Sequence, residues 1–592
     1  MTTSHAPPAP LAPSAPPAKE ATGEPTAATR HLCSGVYVDE WFRDLVINEV
    51  CTKPHRRVAP SYGFDIVPVM RHAWRAAALT ALLRMTLMAS MVVPACTGAA
   101  PVTILVVCGL ALLWLLRRTL MIRDADCTPR PRRKRKRRGP RSAPDPQAPF
   151  WPLSRRTDPD KQRALRRIGV TAFSLTLTGL IVALVHPDRA VTALHIATGI
   201  VIVCLCVGAT RQLMLNHIRR APTLRPARLS GRQRAADAQQ RHVCAVYRRP
   251  RHSEDEGEDE DDLTMFTLFG DESPFIGAGE LVYQWNPPMN IQLLRPGDDK
   301  EPLHEREHAV PPFQAHELVD HLRHAVSLLN TDSLDVRLPT QVRDRVYVAE
   351  TDVAIDRSLL PQGFDEAGLR AVINTPGTRQ HHFLEVTTPV EGSEFVATVL
   401  LHVSLRGRTL IISTAACVLA HTPRSFQRTE EIGHHGAAAV MWAAFRELSA
   451  LPLEIQRSWR VLRYFYALVK AAVLPRDLTT SPIRNVLIGS RVSIREESSQ
   501  AWAKVQLEKS DILGRMKTIE ERLLRAAGDF LSARGVDTSA FDDRALKIIN
   551  SGIFNFGDNN TFSSNAIGET AQAGMTVNQS TNSSNPSSGG NQ

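Results

Sequence analysis

Four long apolar segments stand out in the hydropathy pattern of the first half of the chain. They cover residues 76–93, 101–116, 168–185 and 190–210. A bilayer-spanning helix needs roughly 20 apolar residues, with about 17 at the low end, so the third and fourth segments are long enough to span. The second segment is short, but the "RRTLMI" that follows can continue its helix while the arginines snorkel. Arg84 lies inside the first segment and weakens that prediction.

Short links join these segments in pairs. "ACTGAA" separates the first two segments and "HPDR" separates the last two. This arrangement predicts two helical hairpins, at residues 76–122 and 168–214, and therefore a membrane protein with four transmembrane α-helices. The spans contain Arg84 and His195 but no carboxylate. Because transport usually requires ionisable residues inside the spans, a transporter or channel subunit is the second choice of function.

The pattern changes between residues 263 and 420. Short runs such as "ELVYQW", "MNIQLL" and "DRVYVA" alternate in part and predict strands, whereas "FQAHELVDHLRHAVSLL" predicts a helix. The clearest signal is a pair of β-rich runs around "LRGR", which predicts an antiparallel hairpin over residues 394–420. An α+β domain is therefore predicted for 263–420.

Residues 421–550 have helical periodicity. In "GAAAVMWAAFRELSALPLEIQRSWRVLRYFYALVKAAVLP", aromatic and basic residues accompany an apolar stripe. Two interpretations stay open: an interfacial helix on the inner leaflet, or a helix packed in the core of the domain. A second apolar stripe follows, through "SDILGRMKTIEERLLRAAGDFLSARG", and suits a helical hairpin or a coiled coil. Self-association into a homo-oligomer is therefore an expectation.

The remaining segments are assigned from composition. The Ala/Pro-rich residues 1–30 are predicted to be disordered, and residues 31–75 to form a small helical unit. Residues 123–167 are predicted to be a basic loop and residues 215–262 a charged linker with a run of acids. For the Asn/Ser/Gly-rich tail, 551–592, disorder and assembly into a β-ladder both stay open.

Charge sets the predicted orientation. Lys and Arg number 71 against 60 Asp and Glu, a formal net charge of +11. Basic residues flank each hairpin at its open end, most densely in "RPRRKRKRRGPR" at 130–141, and such residues stay on the cytoplasmic side. Both termini are therefore predicted to be cytoplasmic. The same run is expected to contact anionic lipid head groups, and its lack of interleaved aromatic residues disfavours nucleic-acid binding.

No catalytic, cofactor-binding or metal site is predicted. The nine cysteines are scattered and form no C-x-x-C pair. "HELVDHLRH" at 316–324 resembles a zinc motif, but its first two histidines are five residues apart where the motif needs four. "FIGAGE" holds Gly277 and Gly279 without the other residues of a phosphate loop, so a turn is expected there. Whether the chain is an enzyme stays open on these patterns.

Several stretches of the chain resemble sequences found in a known group of proteins. They include "LCSGVYVDEWFRDLVINEV", "VAPSYGFDIVPVMRHA", "SPFIGAGELVYQW" and "IEERLLRAAGDFLSARGVDTSAF". Over most of its length the chain resembles an uncharacterised family of multi-pass membrane proteins of actinobacteria such as streptomycetes. The resemblance implies a bacterial cell membrane as the location. It implies no activity, cofactor or catalytic residue.

These patterns together predict a membrane-anchored cytoplasmic scaffold or signalling protein that binds other proteins. A membrane-tethered enzyme is the third choice of function, after a transporter or channel subunit. The bilayer itself is the one partner for which the sequence gives a direct physical argument.

Overall fold

The computed structural model describes most of the chain between residues 24 and 550. The described ranges are 24–127, 159–248, 274–285, 287–297, 302–331, 338–361, 363–390, 393–427, 436–474, 477–479, 488–505 and 508–550. Three sequence features lie outside these ranges: the basic run 130–141, the acidic run 254–262 and the tail 551–592. The predictions made for them therefore stay predictions.

Two short helices and a π-helical turn at Val46–Cys51 precede the apolar region. The helices are α1 (Ala27–Val38) and α2 (Glu40–Leu45). Asp39 separates them: it ends α1, and its carboxylate accepts the backbone N–H of Trp41 at 2.9 Å at the start of α2. This Asn/Asp/Ser/Thr type of cap satisfies the N–H groups that a first helical turn leaves without partners.

Four long apolar helices follow, one for each apolar segment of the sequence. They are α3 (Ile66–Cys96), α4 (Ala100–Cys127), α5 (Pro159–Val185) and α6 (Pro187–Arg220). All four are long and apolar enough to cross a membrane. The first half of α3 and the end of α6 do not belong to the apolar bundle, because they pack with α1 and α2 in a buried N-terminal core.

A seven-stranded sheet forms the centre of the α+β region. Its strands are β1 (Cys244–Tyr247), β2 (Glu280–Gln284), β3 (Met289–Gln292), β4 (Gln341–Ala349), β5 (Gln380–Pro389), β6 (Val396–Arg406) and β7 (Thr409–Leu419). The order is β1-β4-β5-β6-β7-β2, and β3 also pairs with β7. Only β1 and β4 run parallel among these pairs. The predicted hairpin is present as β6–β7, with Gly407 in its turn at φ 59°.

Helices of the second half complete the fold. They are α7 (Gly231–Gln240), α8 (Leu303–Arg306), α9 (Ala315–Ser327), α10 (Glu350–Ile355), α11 (Glu366–Asn374), α12 (Gly436–Arg457), α13 (Val461–Val473), α14 (Ile494–Ser498), α15 (Glu508–Ala533) and α16 (Ser539–Asn550). The stretch predicted as a charged linker, 215–262, thus contains both α7 and β1. The α+β architecture predicted for the region after the apolar helices is confirmed.

The sheet has two covered faces. On one face, α9, α15 and α16 pack on apolar residues of β3 to β7 in the largest buried cluster. On the other face, Tyr62 and Phe275 cover Tyr347, Phe383 and Leu400. Tyr62 comes from the segment just before α3, so residues from before the apolar helices complete the core of the sheet that follows them.

Candidate functional site

An ionic junction joins the apolar helices to the rest of the molecule. Arg84 of α3 donates to Glu40 of α2 at 2.7 Å and to Glu454 of α12 at 2.8 Å. The Arg84 side chain is 6% exposed, and both carboxylates are largely buried. The arginine that interrupts the first apolar segment is therefore an ion-paired residue packed between helices. We call Arg84, Glu40 and Glu454, with the Arg211–Glu447 pair described next, the ionic junction.

A second pair lies beside the first. Arg211 of α6 pairs with Glu447 of α12 at 2.6 Å and donates to the hydroxyl of Thr80 in α3 at 2.7 Å. Removing one partner of a buried pair leaves an uncompensated charge and typically costs about 3–5 kcal/mol. The two pairs therefore fix the position of α12 against α3 and α6.

Helices α12 and α13 leave a long apolar surface uncovered. Met441, Trp442 and Phe445 project from α12, and Leu462, Phe465, Tyr466, Val469 and Val473 project from α13, with exposed fractions between 42% and 77%. Among the described residues, exposed side chains of this size otherwise concentrate on α3 to α6. We call this surface of residues 441–473 the apolar ledge. It continues the apolar surface of the four long helices, because α12 packs on α3, α4 and α6.

A large cavity opens beside the N-terminal core. Its volume is about 750 Å³, within the usual range for small-molecule sites. Its floor is the face of β4 and β5 that carries Gln341, Arg343, Glu385 and Thr387. The four side chains meet because Gln341 pairs with Thr387 and Arg343 pairs with Glu385 across the two strands. The walls come from residues 61–65 and from residues 223–226, just beyond α6.

A buried charged network supports that floor. Glu385 is 1% exposed, and its Oε2 accepts from Arg345 Nε at 3.0 Å and from the Tyr62 hydroxyl at 2.9 Å. Arg345 also donates to the His242 carbonyl at 2.6 Å. Burial raises the pKa of Tyr62 well above its usual value, so this phenol remains a hydrogen-bond donor. The network links β4, β5 and the segment before α3.

A second network holds Glu394, which lies in the connection between β5 and β6. His31 contacts its Oε1, and the backbone N–H and the hydroxyl of Thr422 both donate to its Oε2 at 2.8 Å. Burial opposes the charge of Glu394, but the hydrogen bonds from His31, His421 and Thr422 outweigh it and lower the pKa of the carboxyl well below its usual range. Glu394 is therefore a buried carboxylate that stays charged because protein hydrogen bonds replace those of water.

Arg495 connects the two networks. Its guanidinium donates to the carbonyls of Tyr62 and Glu394 and is almost entirely buried. Burial lowers its pKa to about 10, so it stays charged at neutral pH. Arg495 thus holds together the segment that contains Tyr62 and the connection between β5 and β6 that contains Glu394.

The histidine-rich stretch "HELVDHLRH", whose spacing does not match the zinc motif, lies in α9. His316 hydrogen-bonds Asn374, Asp320 pairs with Arg323, and His321 packs against the ring of Phe530 with 5.4 Å between centroids. Within the described ranges there is no group of three or more His, Cys, Asp or Glu side chains suited to a metal ion. The side chains of "HELVDHLRH" thus take part in packing and pairing around α9.

The two glycines of "FIGAGE" have a conformational role. Gly277 and Gly279 have φ of 95° and 102°, a region that side chains rarely adopt. A Cβ on Gly277 would lie 2.5 Å from the carbonyl oxygen of Pro60, and one on Gly279 would collide with the carbonyl of Val418. This segment is the turn that the sequence predicts, and it lets the chain pass closely over β7.

The residues of the cavity floor were not singled out by sequence reasoning. The signal for them was present in "QVRDRVYVA", where alternation places Gln341, Arg343, Arg345 and Tyr347 on one face of a strand. A strand face with two arginines and a tyrosine is unusual for an apolar core. It indicates a buried polar partner, which the structure supplies as Glu385.

Residues 284–562 match the model of a protein family described as the AbeC-like domain. The match begins at the end of β2 and includes β3 to β7 and α8 to α16, and so contains Glu385, Glu394, Glu447, Glu454 and Arg495. No curated protein matches the chain, and no solved structure does.

Proposed function

We propose that this chain, which contains an AbeC-like domain, is a membrane-anchored scaffold or signalling protein. Four helices span the membrane as two hairpins, and the α+β domain is held on the cytoplasmic side, where it binds protein partners. The lipid contacts are those of the spans, the apolar ledge and the basic run 130–141 with anionic head groups. A bacterial cell membrane is the expected location.

The ionic junction and the length of α3 and α6 support this proposal most strongly. With 31 and 34 residues, these helices are about 46 and 51 Å long, whereas a bilayer core is about 30 Å thick. The excess of each helix packs in the N-terminal core with α1 and α2. A continuous helix cannot bend freely where it leaves the membrane, so the domain and the spans form one mechanical unit. A domain that is rigidly joined to its spans suits a scaffold or signalling protein better than a domain attached by a flexible linker would.

Charge supports the orientation. Arg219 and Arg220 end α6, and the segment that follows continues with further arginines, which favour the cytoplasmic side. At the other ends of the spans, the tips near residues 97–99 and 186–189 carry Arg189 as their one basic residue. We therefore infer that both termini face the cytoplasm.

The test is a topology map of the full-length chain. Reporter fusions near residue 145 and after residue 230 should read out as cytoplasmic, and a reporter inserted at the tip near residue 98 should read out as external. The chain should remain in the membrane fraction after alkaline extraction. An external signal at 145 or 230, or a chain that dissolves without detergent, would contradict the proposal.

A transporter or channel subunit remains the second candidate. A cavity of about 410 Å³ lies between α3 and α6 inside the apolar region, beside Pro94 of α3. Its lining is uncharged, and Arg84, which a transport role would invoke, is already ion-paired. An Arg84→Ala variant that inserts normally but abolishes solute or ion flux in vesicles would favour this candidate over the scaffold. A membrane-tethered enzyme is the third candidate, and no described residues form a catalytic arrangement that favours it.

A further inference from the structure

The cavity over β4 and β5 has the features of a ligand site. Glu385 accepts two hydrogen bonds through Oε2, whereas its Oε1 is buried and has no protein partner. Ser61 Oγ, on the facing wall, is also buried without a partner. Leaving a buried acceptor unsatisfied costs about 1–3 kcal/mol, so two such atoms lining one cavity point to a bound donor.

The acidic side chains of the cavity are already ion-paired. The Glu385 carboxylate lies against the Arg345 guanidinium, and Arg225 on the wall pairs with Asp65 at 3.2 Å and with Asp237. A charged ligand would bring an uncompensated charge into this setting. Glu385 requires a hydrogen-bond donor, not a further cation.

Most of the other lining side chains are neutral and polar. The charged ones are Glu24, Arg241 and Arg343, and they already have partners in Arg30, Asp237 and Gln341. Phe64, which is half-buried, supplies an aromatic side chain. The neutral polar residues of the lining are Thr26, Thr29, Ser61, Thr223, Gln240, Gln341 and Thr387. A ring with one apolar face and several hydroxyl donors at its edge matches this lining. A charged ligand would have to compete with the partners that the charged side chains of the lining already have.

We propose that this cavity binds a neutral polyhydroxylated molecule with a ring, a sugar or a nucleoside. A hydroxyl or N–H of the ligand donates to Glu385 Oε1, a second donates to Ser61 Oγ, and the ring lies beside Phe64. Binding of this kind does not depend on the proposed scaffold function.

The position of the cavity gives the ligand a route to the spans. Asp65 lines it and caps α3 by accepting the backbone N–H of Val67 at 3.0 Å. Arg225, which pairs with Asp65, lies five residues beyond the end of α6. A bound ligand therefore touches the start of one long helix and the chain that leaves another. This coupling, unlike binding, rests on the proposed membrane-anchored function.

The experiment uses the full-length protein in nanodiscs and measures thermal stability with a panel of ligands. The neutral set is glucose, galactose, myo-inositol, adenosine and uridine, and the charged set is phosphate, glutamate and spermidine, all at millimolar concentration. A ligand that binds only the folded state raises the melting temperature as its concentration passes its Kd. At least one neutral compound should do so, and the charged set should not.

Variants then locate the site. Thr223→Trp narrows the exposed rim of the cavity and should abolish the shift, and Ser61→Ala with Thr387→Val should weaken binding at least tenfold. Thr375→Trp, an exposed position at the end of α11, is the matched control and should bind as the wild type does. The proposal is overturned if no neutral compound shifts the wild type, if only charged compounds do, or if Thr223→Trp binds normally. A protein found outside membranes would contradict the proposed function and leave this result unaffected.

Discussion

Two buried ionisable side chains of the domain respond to burial in opposite ways. Glu394 keeps its charge because His31, His421 and Thr422 offer it hydrogen bonds, and its pKa falls. His402 has the His382 carbonyl at 2.7 Å from its Nδ1, yet burial dominates and lowers the pKa of its imidazole to about 4. The folded domain therefore holds one permanent anion and one permanently neutral imidazole at neutral pH.

His402 should make folding stability fall as the solution becomes mildly acidic. Its pKa is about 4 when folded and 6.5 when unfolded, so the unfolded state binds the proton first as pH decreases. The stabilisation is complete above pH 6.5 and is lost towards pH 4. Between pH 7 and pH 5 the loss should be about 2 kcal/mol. Thermal or denaturant unfolding of the protein in detergent at several pH values measures it.

A variant without His402 shows whether this histidine causes the pH dependence. His402→Gln should reduce the dependence between pH 7 and pH 5 by about 2 kcal/mol, and this range is chosen to lie above carboxylate titration. His304→Gln changes an exposed histidine of α8 and should keep the wild-type slope. An unchanged slope in His402→Gln would show that another group is responsible.

At the scale of elements, helices α12 and α13 present an exposed apolar surface that no described residue covers. Their apolar ledge is rimmed by Arg457, Arg460, Arg463 and Lys470, whose long stems can cover apolar surface while the charges reach lipid head groups. Arg457 also contacts Glu40 at 2.9 Å, next to the ionic junction. The apolar ledge therefore lies next to the ionic junction. With the proposed topology, we expect the ledge to lie at the interface of the inner leaflet.

A fluorescent probe on α13 should report lipid. A cysteine placed at Tyr466, in a background with the exposed Cys96 and Cys206 changed to alanine, carries an environment-sensitive dye. In nanodiscs its emission should shift to the blue and be quenched by brominated lipid. The same dye at Leu546 of α16, which is also exposed, should show neither effect. Equal emission at the two sites would place the ledge in water or against protein.

Sequence periodicity predicted elements unevenly, for physical reasons. The β6–β7 hairpin was predictable because its strands are adjacent and Gly407 marks the turn. Strand β1 was not, because "CAVY" is four residues long and its parallel partner β4 begins almost a hundred residues later. For α12 and α13, the same 3.6-residue periodicity describes a helix on lipid and a helix on protein, so only the structure separates exposed from packed residues.

At the scale of the whole molecule, the domain is discontinuous in sequence. One face of the sheet is covered by α9, α15 and α16, which follow the strands or lie among them. The other face depends on Tyr62 and on Arg495, which itself grips the carbonyl of Tyr62. The candidate site shares this property: Ser61 and Glu385 are more than 300 residues apart. No local pattern could have joined them, which is why the cavity was found only in three dimensions.

A fragment that starts after the spans should therefore fold poorly. Residues 240–550 lack the segment that covers Tyr347, Phe383 and Leu400, and an uncovered apolar face promotes association. The fragment is expected to aggregate or to bind a hydrophobic dye, as seen by light scattering and dye fluorescence. Fusing residues 24–68 to its N-terminus through a flexible linker should restore a monodisperse species. A well-folded, monomeric fragment without that addition would show that the cover is dispensable.

The contribution of Tyr62 to the sheet also sets an order of events during synthesis. Tyr62 leaves the ribosome before any of the four apolar helices, whereas its partner Glu385 is made 323 residues later. At about 5–20 residues per second, the wait is roughly 15–65 s. During that time Tyr62 lacks the sheet that it covers in the folded protein, because β4, β5 and β6 have not yet been made. The core under Tyr62 can therefore close only after β6 has been synthesised.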